Sequence, residues 1–183
     1  MKKLISVDIQ PLYTKWINFS IRKFCSFLED YDSVLYLFNG PETVDGDSKG
    51  DIIDWLLENG LDKEEVFKIN FLDKGYGFFR GWMDQGLDND TIENVFRYML
   101  DNDVRDSRDI EEEDIGDLIE RFPDLEDIDL DEPIHLPEFN LDVLNKYNRS
   151  HLVGGQENDC LAEFIILLKS LDIKFKIINK FVY

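Results

Sequence analysis

The sequence predicts an α/β protein: a three-layer Rossmann-like sandwich with a mostly parallel sheet and an acidic helical insertion. Three observations predict it. Short apolar runs bounded by turn formers, such as "KLISVDI" (3–9) and "SVLYLF" (33–38), have the length and composition of buried strands. Segments with apolar residues every three to four positions separate them. Strand and helix then alternate, which implies parallel pairing and helices on both faces of the sheet.

Each element follows in chain order. Residues 3–9 form the first strand, ended by Pro11. Residues 12–29 read as one helix, with Trp16, Ile17, Ile21, Phe24 and Leu28 on one face. Residues 33–38 are the second strand, closed by Asn39-Gly40-Pro41. "GPETVDGDSKGD" is rich in turn formers and is expected to be a flexible loop. "DIIDWLLENG" is a short helix stopped at Gly60. "VFKINFLD" gives a third strand. "YGFFRGWMDQG" is expected to be helical, and "DNDTIENVFRYMLDN" is an amphipathic helix with an acidic or amide cap. A further helix is expected near 111–121, an extended segment at "PIHLPEF" and a short helix at "NLDVLNKY". "HLVGG" is a strand, 157–171 an apolar-faced helix, and "IKFKIINKFVY" a final strand.

The 183 residues fit a single domain over 1–183, with 84–140 as an acidic helical insertion. The chain is 43% hydrophobic, enough to build a core and to exclude global disorder. No apolar run has transmembrane length, so no direct membrane association is expected. "MKKLISVDIQP" resembles the start of a signal peptide, but its apolar stretch is short and Asp8 interrupts it, so a cytoplasmic location is expected. Cys25 and Cys160 have no metal-type spacing and no disulfide is expected.

The net charge of −20 argues against binding nucleic acid or anionic membrane through a broad surface, unless cations bridge to phosphates. Residues 101–132 hold 16 acidic and 3 basic side chains, so most of the excess is local. Such a run serves as a solvated insertion, as a surface that mimics nucleic acid or docks a basic protein partner, or as a local cation site.

Parallel strands place their C-terminal ends along one edge, where such folds bind ligands. That edge would gather Asp8, Asn39, Asp73 and the 155–160 turn. Asp8, ending the first strand, suits a turn cap, a general base or a metal ligand. Lys74, in "FLDKGYGFFRGW", is either a surface lysine over a glycine-rich turn or a cation near a thiol or oxyanion. Cys160, at the start of the last helix, is either a small buried residue or a nucleophile. The helix N-terminus would favour its thiolate and offer N–H groups for an oxyanion. Glu157 and Asp159 beside it would act against the thiolate.

These residues resemble those of the isochorismatase-like cysteine hydrolases. "VDIQ", "KGYGFF" and "LVGGQENDCL" are similar to that family's first-strand Asp motif, its Lys motif and its Gly-to-Cys motif, six residues from Gly154 to Cys160. The resemblance covers roughly the first 80 and last 35 residues, and requires the acidic region to be an insertion. It departs at Glu157, where the family has a small residue such as Thr. It implies Asp8 as base, Lys74 as electrostatic partner and Cys160 as nucleophile, acting on a small amide-type substrate without a cofactor. Asn39, Gly155, Gln156 and Asn158 would line the substrate site. A degenerate relative that only binds a small molecule is the other form of this expectation. In overall style the chain also resembles small acidic uncharacterised proteins of tailed phages, which would place it in the host cytoplasm.

Two other classes fit the same residues. A PIN-like nuclease would use Asp8, Asp73, Glu157 and Asp159 at the strand edge to hold Mg²⁺ or Mn²⁺. A non-enzymatic phage accessory or inhibitor protein would dock its acidic 101–132 region on a basic partner.

Overall fold

The structure is a computed structural model that describes residues 1–42, 46–75, 77–129 and 132–183. Thr43 to Asp45 of the expected flexible loop, Tyr76 of the "KGYGFF" motif, and Leu130 and Asp131 of the acidic stretch lie outside the described residues.

Among the described residues, five strands form one sheet: β1 (Lys3–Val7), β2 (Ser33–Phe38), β3 (Ile69–Asp73), β4 (Ser150–Gly154) and β5 (Phe175–Ile177). Their order is β3-β2-β1-β4-β5, and every pairing is parallel. This is the expected α/β Rossmann-like architecture. The chain starts in the middle of the sheet, builds outward through β2 and β3, then returns to the other side of β1. The strand order therefore reverses between β1 and β4, the place where open parallel sheets form a ligand crevice. The registers Val7↔Leu37 and Val7↔Gly154 bring Asp8, Asn39 and Gly155 to that end of the sheet together.

The chain divides into two units. The first comprises residues 1–76, 138–162 and 173–183 and contains the whole sheet. One sheet face carries Leu4, Tyr36, Phe38 and Val153, which pack with Phe24, Cys25 and Leu28 of α1 (Ile21–Leu28) and with Ile52 and Leu56 of α2 (Lys49–Glu58). Alternate residues Ile5, Val7, Leu35, Leu37 and Leu152 are buried as completely, so both faces are covered. This explains the near-continuous apolar strands, since a parallel strand has no solvated face.

The expected helix over 12–29 is two pieces. Pro11–Tyr13 is a 3₁₀ turn, and α1 begins only at Ile21. The hydroxyl of Ser20 accepts from Lys23 N, so Ser20 caps a new helix instead of continuing an old one. Trp16, assigned to the apolar face, is half exposed. The expected strand over 173–183 is also shorter. It pairs only through Ile177, then makes a 3₁₀ turn at Asn179–Phe181.

The second unit comprises residues 77–137 and 163–172. Its elements are α3 (Arg80–Asp84), α4 (Asn89–Asp101), α5 (Glu112–Arg121) and the part of a long helix, Cys160–Ser170, that lies beyond Ala162. Asp88 caps α4 by accepting from Asp90 N and Thr91 N, as its sequence predicts. Among the described residues of the expected helix over 76–86, Arg80–Asp84 is helical, and the Phe78 and Phe79 N–H groups before it have another partner. Glu163, 4% exposed, accepts hydrogen bonds from Phe78 N and, at 2.6 Å, from Phe79 N. A Cβ on Gly77 would lie 3.0 Å from the same carboxylate oxygen, so glycine there admits the contact. Glu163→Ala would bury two N–H groups without an acceptor and is expected to cost about 3 kcal/mol. Glu163→Gln, which keeps an acceptor but loses the charge, is expected to cost about half as much. Urea midpoints of the two variants check this ordering, and equal midpoints would refute it.

Candidate active site

The site lies entirely within the first unit, at the C-terminal edge of β1, β2, β3 and β4. Asp8 follows β1 with φ of 54°, a left-handed conformation that Asp tolerates better than most residues. Its N–H donates to Leu37 O, which continues the ladder for one bond while the chain turns. The side chain is fully buried, and its Oδ2 lies 3.2 Å from Lys74 Nζ, itself 3% exposed. Neither Asp8 carboxylate oxygen has a hydrogen-bond partner among the described residues. Lys74 is placed by the end of β3, where its N–H donates to Phe38 O. Two of the sequence candidates thus form a buried ion pair although 66 positions of chain separate them.

Asn39 follows β2 and is 3% exposed. Its backbone is clamped by one side chain, that of Gln10. Asn39 N donates to Gln10 Oε1 at 2.9 Å, and Gln10 Nε2 donates to Asn39 O at 3.2 Å. Asp47 Oδ2 fixes the clamp by accepting from Gln10 Nε2 and Leu12 N. So held, Asn39 Nδ2 donates to the hydroxyl of Tyr13. Burial pushes the Tyr13 phenol up to about 12; Asp8 and Cys160 add to the rise, while Asn39 and Lys74 oppose it. Tyr183 OH donates to Asp8 O at 2.7 Å. Its phenol is raised further, first by burial and then by Asp8 and Cys160. Both phenols therefore feel Asp8 and Cys160 at once.

The turn after β4 answers to close packing. Gly154 has φ of 85° and Gly155 φ of 68°. A Cβ on Gly154 would meet Val7 O at 2.1 Å. Beyond them Gln156, Glu157 and Asn158 are exposed, and Asp159 and Cys160 are partly buried. Cys160 Sγ lies 3.8 Å from Asp159 Oδ1. The N–H groups expected to serve an oxyanion are largely committed. Asp159 N and Leu161 N both donate to Gln156 O, and Glu157 N donates to Tyr183 O.

The structure therefore brings Asp8 and Lys74 into contact, and bonds Asn39 to Tyr13 and Tyr183 to the Asp8 carbonyl. Gly155 is buried in the turn, whereas Gln156 and Asn158 face solvent. Asp73 Oδ1 accepts from Gly40 N and Gly75 N, both at 3.0 Å, and ties two loops together. Among the described residues no group of three or more His, Cys, Asp or Glu side chains is placed to hold a metal ion. Nor is any helix among them long and apolar enough to cross a membrane.

Sequence reasoning missed Tyr13, Gln10, Asp47 and Tyr183. Gln10 precedes the 3₁₀ turn that Pro11 opens and Tyr13 closes, and a proline at the first position of such a turn is its sequence signal. Asp47 and Tyr183 carry no such local signal. Comparison with protein-family models, with curated proteins and with solved structures yields no match.

Proposed function

We propose that this protein is a hydrolase of the isochorismatase-like kind, acting on a small amide-type substrate through Cys160. The observation that carries the reading is the buried Asp8–Lys74 ion pair at 3.2 Å, at the sheet edge where the turn that leads to Cys160 leaves β4. A desolvated ion pair at a strand edge is expensive to maintain, and gives the fold nothing that apolar residues would not. It is useful where a carboxylate must be held ready as a base.

In this mechanism the Asp8 carboxylate takes the proton of the Cys160 thiol. The sulfur attacks the acyl carbon, and the carbonyl electrons move onto oxygen. Collapse breaks the bond to the leaving amine, which departs with the proton from Asp8. Water, deprotonated by Asp8, then cleaves the thioester. Lys74 Nζ, 3.2 Å from Asp8 Oδ2, is the positive charge beside the carboxylate throughout.

Alkylation by iodoacetamide, resolved by mass spectrometry, tests the reading. Cys160 is expected to label rapidly at pH 7, and at least about tenfold more slowly in Lys74→Ala. Cys25 is the internal control, because it is fully buried and burial pushes its thiol up to about 11. Its silence shows that the variant remains folded. Labelling of Cys160 that rises only above the ordinary thiol pKa of about 8.5 would overturn the proposal.

A further inference from the structure

The second unit contains an apolar cleft that the hydrolase reading does not use. Trp82 of α3 and Val95 of α4 line it, together with Ile115, Leu118 and Ile119 of α5 and Leu125 of the 3₁₀ turn Pro123–Asp127. Leu118 and Leu125 are buried, whereas Ile115 and Ile119 are partly exposed, so the α5 wall is the one a partner can reach. Trp82 is 1% exposed, and its Nε1 has no hydrogen-bond partner among the described residues. A buried donor without an acceptor is a cost to the fold that an oxygen reaching it would remove.

The surroundings of the cleft are strongly charged. Between residues 111 and 127 there are nine carboxylates and one cation, Arg121. Eight of the nine are exposed, and none of these eight is in an ion pair among the described residues. Helix α5 accounts for part of the run, since its dipole favours Glu112, Glu113 and Asp114 in the first turn. Asp117 lies beyond that turn, and Glu120 stands in the last turn, where the dipole opposes it. Glu112 precedes Ile115 by three positions and shares its face of the helix, and Asp124 and Glu126 flank Leu125. Carboxylates thus border the apolar residues of the cleft.

We propose that this cleft is a docking site for a basic, amphipathic protein segment. One apolar side chain of the partner enters the cleft, and its lysines or arginines face the carboxylates of 111–127. Charge complementarity selects this occupant. The same carboxylates repel nucleic acid and anionic lipid, and a neutral apolar ligand leaves them uncompensated. The inference goes beyond the hydrolase reading and does not depend on it.

Fluorescence anisotropy of a labelled leucine–lysine peptide, amphipathic as a helix, tests the site on the full chain. The peptide is expected to bind in about 50 mM NaCl and to lose at least about tenfold in affinity in about 0.5 M. An alanine–lysine peptide of the same charge lacks the anchor and is expected to bind about tenfold more weakly. Ile119→Ser is expected to weaken binding of the leucine peptide about tenfold, and Glu112→Lys about fivefold. Asp54→Lys, an equal change of charge at an exposed residue of α2 in the other unit, is expected to stay within about twofold of the parent. Glu112 is exposed, so its variant keeps the test valid should Ile119→Ser fail to fold. Equal losses in Glu112→Lys and Asp54→Lys would mean that binding follows net charge, and would overturn the site. Equal binding of the two peptides would overturn it as well, as would no binding at low salt. Binding of the leucine peptide that ignores salt would make the occupant merely apolar and refute the basic one.

Discussion

Lys74→Met is expected to destabilise the protein by about 3–5 kcal/mol, the usual result of stranding one partner of a buried ion pair. Asp8 is fully buried, and Lys74 Nζ at 3.2 Å is the cation that faces it. Methionine fills similar volume, so the loss would report charge and not a cavity. The double variant Asp8→Asn/Lys74→Met is expected to recover most of it, because neither buried charge then remains. Asparagine tolerates the left-handed backbone at position 8, where φ is 54°, so the second substitution adds little strain. Thermal or urea unfolding of the four proteins measures the coupling. Additive losses would show that the two side chains stand near each other without interacting.

Gly154→Ala is expected to cost more than about 4 kcal/mol and to abolish cooperative folding. The added Cβ would lie 2.1 Å from Val7 O and 2.8 Å from Ile9 Cγ1, in a backbone with φ of 85°. Val7 is the β1 partner of Gly154 in the parallel register, so relief would require the two central strands to separate. Gly116→Ala is the matched control. It lies in α5, where a Cβ meets nothing within 4 Å, and alanine there is expected to stabilise by about 0.5–1 kcal/mol. A Gly154→Ala protein that melts within a few degrees of the parent would show that β1 and β4 can shift apart, against the packing described above.

Much of this protein was legible in the chain alone. Alternating apolar runs and amphipathic segments determined the α/β class, because a parallel sheet must bury both faces and its strands cannot hide their composition. The second strand falls at residues 33–38 as expected, and Asp88 announces its helix through a local side-chain-to-backbone bond. The candidates Asp8, Lys74 and Cys160 came from spacing and chain position, and the placement of polar residues at strand ends follows from topology.

Only the tertiary structure decided the rest. The contact of Asp8 with Lys74 depends on the strand order β3-β2-β1, which no local pattern contains. The break at Ser20 turned on which backbone groups its hydroxyl could reach. Asp73 proved to be a loop clamp because Gly40 N and Gly75 N converge on it. Tyr13 became part of the site through a chain of hydrogen bonds that runs from Asp47 to Gln10 to Asn39. Periodicity and propensity act over a few residues and so can be read along a sequence. Hydrogen-bond partners and ion pairs are chosen among groups distant in sequence, and that choice is settled only when the sheet has brought them to one edge.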